Sequence, residues 1–186
     1  MGKLIIEAVL ASNELELVTA LCAPDSPERG SDAGAALGKN TGVVISADAS
    51  EISKADVLID FTRPQATLSY LPVCAANHIG VVIGTTGFDA DGKKAISETA
   101  EKTPVVFAPN MSVGVNAVFK LLELAGAMLK RYDCEIVEMH HKHKVDAPSG
   151  TALEMGRRVA HSRGVDFDSV AVLSREGYTG EREDGS

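Results

Sequence analysis

The middle of the chain alternates short aliphatic runs with longer segments of helical spacing. This pattern predicts strands at Ala55–Phe61, Val81–Ile83 and Val105–Phe107, with helices Gln65–Asn77 and Ala90–Lys102 between them. Strands that alternate with helices favour parallel pairing through right-handed crossovers. The sequence therefore predicts an α/β fold built on a parallel sheet.

Each of the three predicted strands ends in a loop of small and polar residues. The loops are Thr62–Pro64, Gly84–Gly87 and Pro109–Ser112. In open parallel sheets, ligands bind at the carboxyl ends of the strands, so three such loops predict a site for an extended ligand. Taken alone, Gly84–Gly87 is equally compatible with an ordinary turn between a strand and a helix.

A change of domain is expected near residue 112, where Ser112 is a suitable cap for a long helix that reaches about Tyr132. The predicted domains are therefore residues 1–111 and 112–186. The remaining predicted elements are a helix at Gly2–Ala11, strands at Leu15–Leu21 and Glu135–Glu138, and a helix at Ala152–His161. The chain opens on a helix and stops in a loop, so we expect both domains to be incomplete at the chain ends.

The composition argues against several classes of partner. The net charge is −8, whereas binding to a nucleic-acid backbone requires a surplus of cations. The cysteines at positions 22, 74 and 134 are odd in number and far apart, which fits a reducing cytoplasm better than a disulfide framework. The apolar run in residues 1–10 is too short for a signal peptide or a membrane span. We expect a small anionic ligand as partner, with neither nucleic acid nor membrane.

Residues 138–151 hold three histidines, two lysines and a Pro-Ser-Gly turn. Histidine and lysine side chains at a strand end can exchange protons with a reacting group near neutral pH. Ser149 is placed to begin a helix, and the N–H groups at such a helix start can bind a carboxylate. The segment predicts a proton-transfer site beside an anion-binding site.

Two other interpretations of the histidine segment stay open. On a strand, His141 and His143 would share one face, and such an H-x-H pair can bind zinc, although Lys142 and Lys144 would repel a dication. A cluster of histidine and lysine can also be an ordinary solvated surface.

Five motifs occur in the order found in bacterial dihydrodipicolinate reductases, also called 4-hydroxy-tetrahydrodipicolinate reductases. The motifs are Asp60–Pro64, Gly84–Phe88, Asn110–Asn116, His140–Thr151 and Ser174–Arg182. The resemblance implies a Rossmann-type nicotinamide domain and a smaller α/β substrate domain whose mixed sheet supports a homotetramer. It implies the reduction of dihydrodipicolinate to tetrahydrodipicolinate by NADH or NADPH, in diaminopimelate and lysine biosynthesis.

The resemblance also implies site residues, by position in the motifs. His140 would be the proton donor and acceptor and Lys144 the second proton donor, while His141, Gly150 and Thr151 would contact the dicarboxylate. The nicotinamide and its ribose would be bound by a larger set: Gly84, Thr85, Thr86, Ala108, Pro109, Asn110 and Met111. No metal is implied.

The family pattern extends beyond this sequence at both ends. Its Gly-rich strand and turn would precede Met1, and its last strands would follow Ser186. Cys22 and Ala23 stand where other members carry residues that distinguish NADH from NADPH, so the preferred cofactor stays open. A non-catalytic remnant of such a reductase is the main alternative function, and an H-x-H metal-dependent hydrolase is a weaker one.

Overall fold

The computed structural model describes residues 1–181. The chain divides into two compact units, Met1–Ala108 and Pro109–Ser186. The predicted α/β class is confirmed, because every strand pairing of the described residues is parallel and helices separate the strands along the chain.

Within residues 1–181, the strands all lie in the first unit. Its elements are α1 (Gly2–Ala11), β1 (Ala20–Leu21), β2 (Ile45–Ser46), β3 (Val57–Asp60), α2 (Pro64–Asn77), β4 (Gly80–Ile83), α3 (Ala90–Ala100) and β5 (Val105–Phe107), with short 3-10 segments at Ala35–Leu37 and Ala49–Lys54. The strands form two parallel sheets, β1–β2 and β3–β4–β5. The elements predicted between residues 55 and 107 are confirmed within a few residues, whereas only the last two residues of Leu15–Leu21 pair as a strand.

The core of the first unit lies on one face of the β3–β4–β5 sheet. Alternate residues of the central strand β4, Val81 and Ile83, are buried there against Leu71 of α2 and Ile96 of α3. Helix α2 begins with Pro64 at its first position, where the fixed φ of proline suits a helix and no N–H is required. The packing therefore fixes the carboxyl ends of β3 and β4, and the loops that follow them.

Apolar side chains also stand on the opposite face of this sheet. Val57 and Ile59 of β3 are 53% and 39% exposed, and Val106 of β5 is 56% exposed. These residues alternate with the core-facing ones, as the period of two along a strand requires. Within the described residues, the helices cover only one side of the sheet.

The second unit is helical in its described part, with α4 (Val113–Met128), α5 (Gly150–Arg163) and α6 (Phe167–Val170). Helices α4 and α5 approach closely at Gly126, where an added Cβ atom would lie 2.2 Å from Ser162 Oγ. Arg158 of α5 reinforces the contact through a 2.7 Å ion pair with Glu123 of α4. Close packing and an ion pair therefore join the two helices.

The strand predicted at Glu135–Glu138 is not formed, and no strand is assigned within residues 109–181. The run lines an open cavity of about 1140 Å³ together with α5, α6 and the segment around Val172. A strand forms only when its backbone exchanges hydrogen bonds with that of a neighbouring segment. Residues 109–181 provide no such neighbour. The mixed sheet expected in this domain is therefore absent from its described part. None of the helices within residues 1–181 is long and apolar enough to cross a membrane.

Candidate functional site

The loops after β3 and β4 meet at one edge of the sheet. The Gly84 N–H donates to the Asp60 carbonyl over 2.8 Å, and the Ala108 N–H donates to the Ile83 carbonyl over 3.4 Å. The parallel register therefore brings three predicted cofactor-binding residues, Gly84, Thr85 and Ala108, to the carboxyl ends of neighbouring strands.

A buried carboxylate organises this edge of the sheet. Asp60 is only 2% exposed. Its Oδ1 accepts a hydrogen bond from Thr62 Oγ1 over 2.6 Å, and its Oδ2 accepts one from Thr67 Oγ1. The Thr62 N–H in turn donates to Thr85 Oγ1 over 2.9 Å. The network joins the end of β3, the first turn of α2 and the loop after β4.

Sequence reasoning assigned no role to Asp60. The available signal was an aspartate at the end of an apolar strand, with threonines two and seven residues later. A buried carboxylate requires hydrogen-bond donors, and hydroxyls on the next loop and helix are suitable ones.

The two threonines of the Gly84–Gly87 loop have different environments. Thr85 is 3% exposed, and its hydroxyl accepts the Thr62 N–H, whereas Thr86 is exposed. Of this pair, Thr86 is the residue whose side chain can reach a ligand. Thr85 shapes the loop instead.

The glycines of this loop are required for reasons internal to the protein. A Cβ atom at Gly84 would lie 2.0 Å from Cε1 of Phe61, so glycine leaves room for that ring. Gly87 has a φ of +87°, in the left-handed region that favours glycine. The conformation and packing of the loop therefore explain both glycines.

In the second unit, the loop that carries Pro109, Asn110 and Met111 is braced by two amide side chains. Asn116 Nδ2 donates to the carbonyls of Asn110 and Ser112, both over 2.9 Å. The Asn110 Oδ1 accepts the Ser112 N–H over 2.8 Å. Ser112 caps α4 as predicted, with its Oγ 3.4 Å from the Val115 nitrogen. Asn110 and Asn116 therefore hold the loop, while Pro109 and Met111 stay exposed.

The histidine segment is organised around Glu138. One carboxylate oxygen, Oε2, lies 2.7 Å from His140 Nε2, and the other, Oε1, accepts the Ser149 N–H over 2.7 Å. Glu138 is half-buried, and Ser149 is 5% exposed. The carboxylate thus joins the predicted proton donor to the residue that begins α5.

The hydrogen bond from His140 lowers the pKa of Glu138 to about 2, and the contacts with Ser149 act in the same direction. Glu138 is therefore a carboxylate at neutral pH, and it can accept hydrogen bonds through both of its oxygens. From the sequence, Glu138 is only the last residue of the predicted strand Glu135–Glu138.

Lys144 has a carboxylate partner of its own. Its Nζ lies 2.7 Å from Asp146 Oδ1, and 22% of its side chain is exposed. The hydrogen bond from Lys144 lowers the pKa of Asp146. His141 is exposed, and its Nδ1 accepts the N–H of His143 over 3.1 Å.

The first turn of α5 has the form of an anion-binding site. Ser149 Oγ accepts the Ala152 N–H over 3.0 Å, which confirms the predicted cap. Within residues 1–181, no acceptor bonds the N–H groups of Gly150 and Thr151. Two unsatisfied N–H groups at the positive end of a fourteen-residue helix suit a carboxylate.

The described residues include no group of three or more His, Cys, Asp or Glu side chains arranged to hold a metal ion. The rings of His141 and His143 have centroids 6.0 Å apart and are tilted by 43°. Of the other predicted cations, Arg175 pairs with Glu135 over 2.6 Å, and Arg182 lies outside the described residues.

An α/β unit with small and polar loops at its strand ends, followed by a unit with a histidine and lysine segment before a helix, is typical of two-domain enzymes that bind a dinucleotide. The family descriptions "Dihydrodipicolinate reductase, N-terminus" and "Dihydrodipicolinate reductase, C-terminus" match residues 1–111 and 114–185. The chain therefore belongs to the dihydrodipicolinate reductase family.

Individual relatives agree with the family match. Over 188 residues the chain is 53% identical to the 4-hydroxy-tetrahydrodipicolinate reductase of Polynucleobacter necessarius subsp. necessarius (strain STIR1), covering 100% of this chain and 71% of the relative. It is 54% identical over 188 residues to that of Cupriavidus pinatubonensis (strain JMP 134 / LMG 1197), with the same coverage. A dipicolinate-bound dihydrodipicolinate reductase from Paenisporosarcina sp. TG-14 superposes with a TM-score of 0.66 at 28% identity, over 96% of this chain and 65% of that one.

These comparisons confirm the predicted family, its α/β fold and its membership of the nicotinamide-dependent oxidoreductases. They give no support to the metal-dependent hydrolase. They do not test the individual site residues, which stay predictions.

Proposed function

We propose that this protein reduces dihydrodipicolinate, formed from 4-hydroxy-tetrahydrodipicolinate by loss of water, to tetrahydrodipicolinate with NADH or NADPH, in the diaminopimelate and lysine pathway. The observation that carries the proposal is the arrangement of residues 138–151, in which His140 and Lys144 each contact a carboxylate and lie close in sequence to the unsatisfied N–H groups of α5. That arrangement occurs in a chain whose whole length matches the reductase family.

The loops at the sheet edge would hold the nicotinamide cofactor. Thr86 offers an exposed hydroxyl, while the buried Asp60 and Thr85 fix the course of the backbone around it. By position in the family motifs, Ala108, Pro109, Asn110 and Met111 would also contact the cofactor. When bound, the cofactor supplies the hydride.

The residues of the second unit would bind the substrate and supply protons. A carboxylate of the substrate would accept the N–H groups of Gly150 and Thr151, and the exposed His141 would contact the dicarboxylate as well. Hydride addition to a C=C–C=N system builds negative charge that a nearby cationic acid can quench by protonation. We assign His140 as the proton donor and acceptor and Lys144 as the second proton donor.

Two further properties, the cellular compartment and the oligomeric state, complete the proposal. Cys22, Cys74 and Cys134 are all free thiols, as a reducing cytoplasm favours. We infer that the protein acts in the cytoplasm. We also infer that it assembles as a homotetramer, and light scattering on the purified protein tests this oligomeric state directly.

The proposal is tested by the oxidation of NADH and NADPH by the complete gene product, with substrate generated in place by the preceding synthase. We expect turnover by the wild type and a fall in kcat of about 10²–10⁴-fold in His140→Ala. His143→Ala is the matched control, since it removes a neighbouring imidazole without a proposed role, and it should retain wild-type turnover. Cofactor binding without turnover in the wild type would instead support the non-catalytic alternative.

A further inference from the structure

We infer that Glu138 is a positioning residue that determines which ring nitrogen of His140 carries the proton and fixes the start of α5 at the same time. The predicted effects of Glu138 variants on turnover rest on the proposed function. The structural part of the inference concerns two contacts of one carboxylate, each of 2.7 Å.

The first contact determines which nitrogen of His140 can serve the substrate. A carboxylate accepts hydrogen bonds and cannot donate them, so the nitrogen facing Glu138, Nε2, must carry a proton. Nδ1 is then the nitrogen left to exchange a proton with a ligand. A carboxylate that orients an imidazole and fixes its tautomer is a general feature of acid–base sites.

The second contact connects this histidine to the anion site. Oε1 of Glu138 accepts the N–H of Ser149, and the Oγ of Ser149 caps α5. Glu138 and Ser149 are eleven residues apart, and the three histidines and two lysines of the segment lie between them. One side chain therefore closes the segment into a loop whose two ends carry the proton donor and the anion site.

The location and burial of Glu138 suit this positioning role. His140 and Lys144 both lie in the loop that the carboxylate closes, and 27% of the Glu138 side chain is exposed against 39% for His140. The other carboxylate of the loop, Asp146, is bonded to Lys144. Each proposed acid therefore has its own carboxylate, and Glu138 is the one that also reaches α5.

The variant Glu138→Gln separates the two contacts. Its amide oxygen can still accept the Ser149 N–H, but its amide nitrogen cannot accept a proton from His140 Nε2. We expect kcat to fall by about 10–100-fold, which corresponds to the loss of one hydrogen bond to a charged group, with KM changed by less than about threefold. Glu138→Ala should raise KM as well, because Ser149 then loses its acceptor. Glu98→Gln removes an exposed carboxylate of α3 and is the matched control.

A double-mutant cycle shows whether Glu138 acts through His140. In the His140→Ala background, Glu138→Gln should lower kcat by less than about twofold, because the group it positions is gone. An undiminished effect in that background, or a wild-type kcat for Glu138→Gln alone, would overturn the inference.

Nitrogen-15 NMR of labelled histidine decides the point without any turnover. We expect neutral His140 of the wild type to carry its proton on Nε2, and in Glu138→Gln to carry it on Nδ1. A wild type protonated on Nδ1 would overturn the inference even if the variant did not fold. If the wild type shows the Nε2 form but no reductase activity, the proposed function fails and the role of Glu138 in positioning stands.

Discussion

The loop after β4 and the histidine segment are both predicted to contact ligands, but they are held in place by different means. The β4 loop is anchored by buried groups, with Thr85 3% exposed and Asp60 2% exposed. The histidine segment is largely exposed and is closed by a few hydrogen bonds from carboxylates, chiefly those of Glu138 and Asp146. The comparison suggests a division of roles: a cofactor loop whose shape is part of the core, and an acid segment whose chemistry is close to solvent.

The largest effect should come from the acid segment, and it should be kinetic. Lys144→Ala removes the proposed second proton donor and should lower kcat by about 10²–10⁴-fold, with little change in nicotinamide affinity. Lys142→Ala is the control, because Lys142 is exposed and carries the same charge two residues away. Steady-state kinetics and cofactor titration check this prediction. Equal losses of kcat in the two variants would show that the lysines contribute only their positive charge.

A substitution of the buried threonine in the loop after β4 should lower the stability of the protein more than its activity. Thr85→Val leaves the Thr62 N–H without its acceptor and should lower the free energy of unfolding by about 1–3 kcal/mol. Thr86→Val makes the same change on the exposed neighbour and should alter that free energy by less than about 0.5 kcal/mol while weakening cofactor binding. Denaturant unfolding and calorimetric titration separate the pair. The contrast between buried and exposed threonine would be refuted by equal stability losses.

The helix caps of the second unit allow a smaller test. Ser149→Ala removes a buried cap with a 3.0 Å hydrogen bond and should destabilise the protein by about 1 kcal/mol and raise KM. Ser112→Ala removes the longer, exposed cap of α4 and should cost about 0.5 kcal/mol or less. Thermal unfolding of both variants measures the contribution of each cap to stability. A larger loss of stability in Ser112→Ala than in Ser149→Ala would contradict this prediction.

The smallest effect concerns acid stability. The pKa of Glu138 is lowered from 4.5 to about 2 in the folded protein. The stabilisation linked to this shift is therefore complete above about pH 4.5 and is lost as the pH falls through about 2. The stability difference between the wild type and Glu138→Gln should be constant near neutral pH and shrink in acid. A difference that stays constant down to pH 2 would mean that ionised Glu138 does not stabilise the fold.

The elements between residues 55 and 107 were predictable because their signals are local. β-branched runs, helical spacing and Pro64 at a helix start are all properties of a few neighbouring residues. The run Glu135–Glu138 carries a comparable strand signal, yet it forms no strand in residues 109–181. Pairing depends on a second segment that a local pattern does not specify.

The site divides in the same way between local and distant information. The sequence indicated which residue types could do the chemistry, and it identified Ser112 and Ser149 as caps. It could not distinguish Thr85 from Thr86, since the burial of two identical neighbours depends on what packs above them. It also gave no role to Asp60, whose donors come from two other elements.

The sequence by itself determined the α/β class, the family and the cluster of histidine and lysine side chains, because these follow from local periodicity and from the order of specific motifs. Only the tertiary structure decided that Glu138 joins His140 to Ser149 and that Asp60 joins β3 to α2 and, through Thr62, to the β4 loop. The physical reason is that a hydrogen bond requires two atoms within about 3 Å of each other. Chain folding, rather than the spacing of residues along the sequence, brings such atoms together.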